Sequence, residues 1–261
     1  MRKFLNVYTS QKEISTYKKA GEISVKILKE LINITVKGST PFEINERAKF
    51  LCKKYGVQSA FYGVPGPKNP FPGHVCVSVN DFILHTIPFS KKEFVDGDVV
   101  KIDFGIVYKG FYTDHCVTFG IGDVTEEDAK LIRTARLCVD TAIKQAKPGN
   151  KTGDISNALQ TIAELEGYNY VTNYVSHGIG RKEHGGLHAD PKILSYGKKG
   201  VGLTLPKGLA ITVENQISKG SAQLILERDG WSLRTKDGEK AAMFEHTVIV
   251  DDEPIIITKL D

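Results

Sequence analysis

Residues Val99 to Gly120 read VVKIDFGIVYKGFYTDHCVTFG. β-branched and aromatic residues fill both sides of a turn signal at Tyr108-Lys109-Gly110, which predicts an antiparallel hairpin. Each arm carries one carboxylate, Asp103 and Asp114. With the turn centred on those three residues, Asp103 falls roughly opposite Asp114, and opposed residues of an antiparallel pair point to the same face. Two carboxylates held that close repel, and one keeps its proton unless a cation lies between them.

The same combination recurs further along. His177 sits in VSHGIG, Glu214 in LAITVENQI and Glu245 in AMFEHTVIV, all readable as strands or strand ends. Burying a lone carboxylate costs several kcal/mol unless something positive compensates it. No comparable set of Lys or Arg occupies these segments, so divalent cations are the expected compensation. Oxygen-rich ligation with a single His suits Mn, Fe, Co or Zn better than a structural zinc, which favours thiolates. Four carboxylates among five ligand positions imply that some bridge, and hence two metal ions. In VSHGIG, the glycines flanking Ile179 allow close backbone approach.

Around these strands the chain alternates with helices. Ile14, Tyr17, Ile23, Ile27, Leu28, Leu31 and Ile32 recur at helical spacing, predicting a first helix that ends near Lys37-Gly38. Thr40-Pro41-Phe42-Glu43 has the cap, first-turn proline and capping-box acid of a second helix running to Gly56. The plan returns with a helix opened by Thr125 and closed by Lys147-Pro148-Gly149, then another from about Thr152 to Gly167. Each half thus reads helix, helix, strands. No Pro/Gly/Ser-rich linker divides the chain, so residues 1–261 are expected to form one domain with half-domains of about 1–122 and 123–261. The fold class is α+β, a curved antiparallel sheet covered by helices, with the ligand cleft where the two halves meet.

At 41% hydrophobic and 25% charged, the composition is that of an ordinary soluble globular protein. The net charge of +4 is spread without a dense basic block. It gives little support to specific nucleic-acid binding, while leaving room for transient contact with a ribosome. Cys52, Cys76, Cys116 and Cys138 show no paired spacing and read as free thiols. No apolar run suggests a signal peptide or membrane span, and a cytoplasmic monomer is expected.

The order and context of these residues closely resemble the type I methionine aminopeptidases, whose fold is called pita-bread. The matching segments are CVSVN (Cys76 to Asn80), LHTIP (Leu84 to Pro88), KIDFG, GFYTD, HGIGR, TVEN, WSLRTKD (Trp231 to Asp237) and FEHTVIV, in the family's order over nearly the whole chain. The resemblance implies pseudo-twofold halves and a two-metal site. Asp103, Asp114, His177, Glu214 and Glu245 would be the ligands, with Asp114 and Glu245 bridging. Glu214 would also be the general base for a metal-activated water. It implies removal of initiator methionine from nascent polypeptide N-termini when the next residue is small, without a covalent intermediate. His85 would hydrogen-bond the scissile amide and help the leaving nitrogen. Cys76, Trp231, Phe61 and Leu187 would wall the methionine pocket.

A second catalytic histidine, which polarises the carbonyl in the family, has two candidates. The family's spacing of seven residues after the ligand His selects His184, whereas the local context of an apolar predecessor and H-x-x-P selects His188. His188 is favoured, on the reading that about four extra residues precede Pro191. Other departures are Thr86 after His85 where the family has Gly, the long loop Gly63 to Gly73, His115 for a frequent Thr, and Asn215 for the Pro that follows the base. Two other functions are open. A proline-directed peptidase of the same fold generally carries an extra N-terminal domain, whereas this chain reaches its first helix within about ten residues. A non-catalytic binding homologue would have lost ligands, and all five are present.

Overall fold

The structure is a computed structural model and describes residues 4–260. Four α-helices form among the described residues, the second and third where cap signals placed them. Ser10 accepts the Glu13 N–H at the start of α1 (Gln11–Ile34), and a full capping box between Thr40 and Glu43 opens α2 (Pro41–Tyr55), which Gly56 closes in the left-handed conformation. Thr125 caps α3 (Glu126–Ile143), and α4 is Thr152–Leu165. Two helices stop short of expectation. α1 ends at Ile34 rather than near Gly38: the Thr35 N–H bonds the Ile32 carbonyl only three residues back, and the Gly38 N–H bonds the Phe94 carbonyl in the following turn. α3 ends at Ile143, with residues 144–145 in a turn and 146–147 irregular before Pro148.

The first half supplies strands β1 (Gln58–Ser59), β2 (Cys76–Val79), β3 (Phe82–Leu84), β4 (Val99–Phe104), β5 (Ile106–Tyr108), β6 (Phe111–Tyr112) and β7 (His115–Gly120). The second supplies β8 (Asn169–Tyr170), β9 (Ser176–Gly178), β10 (Ala189–Ile193), β11 (Ala210–Ser218), β12 (Leu224–Leu226), β13 (Leu233–Thr235), β14 (Ala241–Ile249) and β15 (Ile255–Ile256). One antiparallel sheet runs β10-β9-β11-β14-β7-β4-β2, with β15 on β14 and β8 on β11. The β7–β14 pairing joins strands of the two halves. Alternation sorts the side chains. Val100, Ile102 and Phe104 on β4, Ile211, Val213 and Ile217 on β11, and Ala242, Phe244 and Val248 on β14 pack in one core with Leu28 and Leu31 of α1 and Leu131, Ala135 and Val139 of α3. The intervening residues face the other way, and nearly all of them are buried too.

The hairpin register differs from the sequence expectation by two residues. Tyr108 pairs with Phe111, so the turn is only Lys109-Gly110, both with positive φ (48° and 85°), as a type I′ turn requires. Asp103 therefore stands opposite Cys116, not Asp114. An even-numbered slip keeps every side chain on its face, and Asp103 and Asp114 still meet in one buried cluster, each perturbing the other's carboxyl.

Candidate metal centre

Backbone pairing arranges the site as two rows on the sheet face away from the helices. In the first row Cys76 pairs with Asp103, Asp103 with Cys116, Cys116 with Glu245, and Glu245 with Glu214. Directly opposed residues share a face, so three carboxylates and two thiols line up across five strands. The second row is tied by two threonines that face each other. Thr247 Oγ1 accepts the Asp114 N–H at 2.9 Å and donates to the Asp114 carbonyl at 2.8 Å. Thr212 Oγ1 accepts the His177 N–H at 3.1 Å. Gly178 and Gly180 admit the chain here, since a Cβ would strike the Asp190 carbonyl at the first and the Tyr8 hydroxyl at the second.

All five predicted ligands are buried and brought together, and donor atoms of Asp114, His177 and Glu245 lie within 4.8 Å of one another. Burial, opposed by hydrogen bonds from Asp114 and Cys76, pushes Asp103 up to about 7. Burial, then repulsion from Asp103, pushes Glu214 up to about 8. Asp114 and Glu245 are driven well above the carboxylate range by burial and then by the neighbouring acids. Asp103 Oδ1, Asp114 Oδ1 and Glu245 Oε1 have no hydrogen-bond partner among the described residues. Buried, unpartnered anionic oxygens converging on one point have the chemistry of a hard-cation site, and divalent ions fit this donor set.

The histidine geometry is consistent with ligation. His177 Nδ1 lies 3.0 Å from the Gly178 carbonyl, to which it donates its proton. That leaves the Nε2 lone pair free, 3.7 Å from Glu214 Oε1. Burial, and next the neighbouring His188, pushes His177 down to about 3, so it stays neutral. Burial and then His188 also lower His85, to about 4. His85 adopts φ 53°, a sparsely populated conformation for a side chain other than Gly or Asn. The next residue explains how it is held: the Ser78 hydroxyl donates to Thr86 Oγ1 at 2.7 Å.

Above the acids opens a cavity of about 740 Å³ lined by all twelve residues singled out in the sequence. Phe61, Cys76, Leu187 and Trp231 contribute walls, together with Phe71 and Tyr174, which sequence reading did not single out. Trp231 Nε1 donates to the Asn69 carbonyl at 2.9 Å and its ring lies edge-on to Phe71 at 5.1 Å. The long 63–73 loop is thereby fixed as part of the wall. The Cys76 thiol is pushed well above its usual range by burial and then by Asp103, which favours the protonated, weakly nucleophilic form. Cys116 was missed as well; its place two residues beyond Asp114 was the available signal. Both candidate second histidines reach the cavity. The His188 ring stands 4.7 Å from that of His177, and the residue is exposed. His184 lies on a 3₁₀ turn, Lys182–His184, with Nδ1 held 3.0 Å from the Tyr8 hydroxyl.

The model of metallopeptidase family M24 matches residues 15–252. Methionine aminopeptidase A of Synechocystis sp. is 35% identical over 251 residues, 96% of this chain and 96% of that relative. The chain belongs to metallopeptidase family M24. A methionine aminopeptidase structure from Thermotoga maritima superposes with TM-score 0.90 at 36% identity, covering 97% of this chain and 100% of that one. The M24 fold also appears in a prolidase from Pyrococcus horikoshii, at TM-score 0.76 and 21% identity, where this chain covers 65% of the other's length. Membership in a metallopeptidase family implies divalent ions, and the unpartnered oxygens described above are where this M24 chain can hold them. Among the described residues no helix is long and apolar enough to cross a membrane.

Two outcomes follow for this M24 site. The folded-state pKa values of the four acids lie above their unfolded values, so the folded, metal-stripped chain retains protons that the unfolded chain has already released. Its stability from this cluster is therefore lost as pH rises through about 7 and 8. Ligands that must shed protons bind metal better at high pH. The gap in Tm between manganese-loaded and metal-stripped protein should widen from about pH 6.5 to about pH 8.5, measured by calorimetry. A constant or narrowing gap would contradict the assignment. For the paired histidine candidates, His188→Ala should lose about a hundredfold or more in kcat, the scale of a lost oxyanion donor. His184→Ala, whose ring is tied back to Tyr8, should be milder. Steady-state kinetics showing the reverse order would make His184 the catalytic group.

Proposed function

We propose that this chain hydrolyses the N-terminal methionine from peptides and nascent polypeptides whose second residue is small, with two divalent cations held by Asp103, Asp114, His177, Glu214 and Glu245. The observation that carries this reading is the convergence of four buried carboxylates and a neutral histidine at the floor of a cavity with apolar walls. Bound divalent cations acidify a water and polarise the scissile carbonyl; manganese, iron, cobalt and zinc all suit this donor set.

The chain's own groups do the rest. Glu214 accepts the proton of the attacking water and returns it to the leaving amine. Its Oε2 accepts a short hydrogen bond of 2.5 Å from Gln216 Nε2, which holds the carboxylate in place and leaves Oε1 facing His177. His85, kept neutral, hydrogen-bonds the scissile amide and supports the departing nitrogen. His188 donates to the carbonyl oxygen as negative charge develops there, an interaction strongest in the transition state. Phe61, Phe71, Cys76, Leu187 and Trp231 receive the methionine side chain, whose unbranched thioether suits an aromatic and aliphatic wall.

The test is a peptide panel with metal-stripped protein reconstituted separately with manganese, iron, cobalt and zinc. Met-Ala, Met-Gly and Met-Ser peptides should be cleaved, Met-Leu slowly, and Xaa-Pro peptides lacking methionine not at all. Glu214→Gln should lower kcat by about a hundredfold or more while the protein still folds. Faster turnover of the Xaa-Pro peptides would replace this reading with a proline-directed peptidase.

A further inference from the structure

Lys101 lies two residues before Asp103 on the same face of β4 and is 1% exposed. Among the described residues it makes no ion pair or hydrogen bond with a carboxylate. Its Nζ donates instead to three main-chain carbonyls: Asn80 at 2.7 Å, Ala241 at 3.1 Å and Val99 at 3.3 Å. Three N–H bonds meet three acceptors, so the ammonium is fully satisfied by backbone alone. Burial pulls such a group toward its neutral form, whereas three carbonyl acceptors favour the form with three donors.

The acceptors come from separate parts of the sheet and are held in position independently of the lysine. Asn80 occupies the turn between β2 and β3 with φ 56°. Its side chain donates to Asp98 Oδ1 at 2.8 Å and accepts the Val99 N–H at 2.9 Å, while its own N–H reaches the Val99 carbonyl. The Asn80 carbonyl also accepts the Ala241 N–H at 3.2 Å. Rigid backbone carbonyls converging on one positive charge form a site for a desolvated monovalent cation.

We propose that these carbonyls constitute a monovalent-cation site that the Lys101 ammonium fills, and that this tethered cation positions the strands leading into the metal centre. The three carbonyls sit at the starts of β4 and β14 and at the turn into β3. From there the chain runs to Asp103, Glu245 and His85 respectively. Without a cation the three carbonyl dipoles repel one another with only their main-chain hydrogen bonds to hold them, and the strand ends loosen. Lys101 is thus a positioning residue. This inference does not depend on which peptide is cleaved.

The test removes the tether and offers free cations of different size at constant ionic strength. Manganese affinity by calorimetry and Tm are measured for wild type, Lys101→Ala and Lys101→Met in the chlorides of sodium, potassium, ammonium and tetramethylammonium. Wild type should respond equally to all four. Lys101→Ala in tetramethylammonium should bind manganese about tenfold more weakly, the scale for losing a group that orients ligands. It should recover in at least one of the small cations. Lys101→Met, whose apolar tail occupies the space, should not recover in any salt. If Lys101→Ala fails to fold in tetramethylammonium, folding on addition of a small cation supports the proposal, and failure in every salt overturns it. An equal response of Lys101→Ala to all four salts, or undiminished manganese affinity in tetramethylammonium, also overturns it.

Discussion

Mutual repulsion among the carboxylates of Asp103, Asp114, Glu214 and Glu245 is the constraint around which the molecule is arranged. Each is buried, each faces the others, and ordinary relaxation is denied to them. Glu214 and Glu245 are opposed in the middle of a ladder of nine consecutive pairs, from Ala210↔Ile249 to Ser218↔Ala241. Moving either acid would break that ladder. Asp103 is pinned between β2 and β7, and Asp114 by the Thr247 hydroxyl acting on both its N–H and its carbonyl. A scaffold that holds like charges together keeps their protons on, unless cations replace those protons.

The two faces of the sheet divide the work. One is an aliphatic core closed by α1 to α4, where hydrophobic burial holds the strands in register. The other carries the row of acids, with the smaller β12-β13-β3 sheet and the 63–73 loop standing beside it. Polar exceptions on the helix side are met locally: His115 Nε2 sits 3.0 Å from the Ser24 hydroxyl of α1. The acids are thus held on or beside rigid strands, while His85, His188 and much of the cavity wall come from the turns and loops around them.

Much of this was legible because alternation and acid placement reinforce each other. A carboxylate inside VVKIDFG or LAITVENQI is costly enough that its occurrence is informative, and the cap signals at Thr40 and Thr125 are short-range chemistry readable from sequence alone. What was lost is what depends on pairing. The hairpin register differs from the expected one by two residues because Lys109, a non-glycine, takes a positive φ at the first turn position. Cys116 entered the site only once Asp103 and Glu245 were seen to flank it. Lys101 looked incidental in an apolar strand, since the carbonyls that satisfy it come from residues 21 and 140 positions away as well as from its own strand. Spacing and context separated His184 from His188, and geometry distinguishes them by neighbours: Tyr8 for one, the His177 ring for the other.

The most direct measurement of the central claim is anomalous diffraction from crystals of the protein loaded with manganese. The account predicts two peaks about 3.5–4 Å apart, enclosed by Asp103, Asp114, His177, Glu214 and Glu245. Crystals that show no ion among these side chains, with the four carboxylates still buried and facing one another, would contradict it.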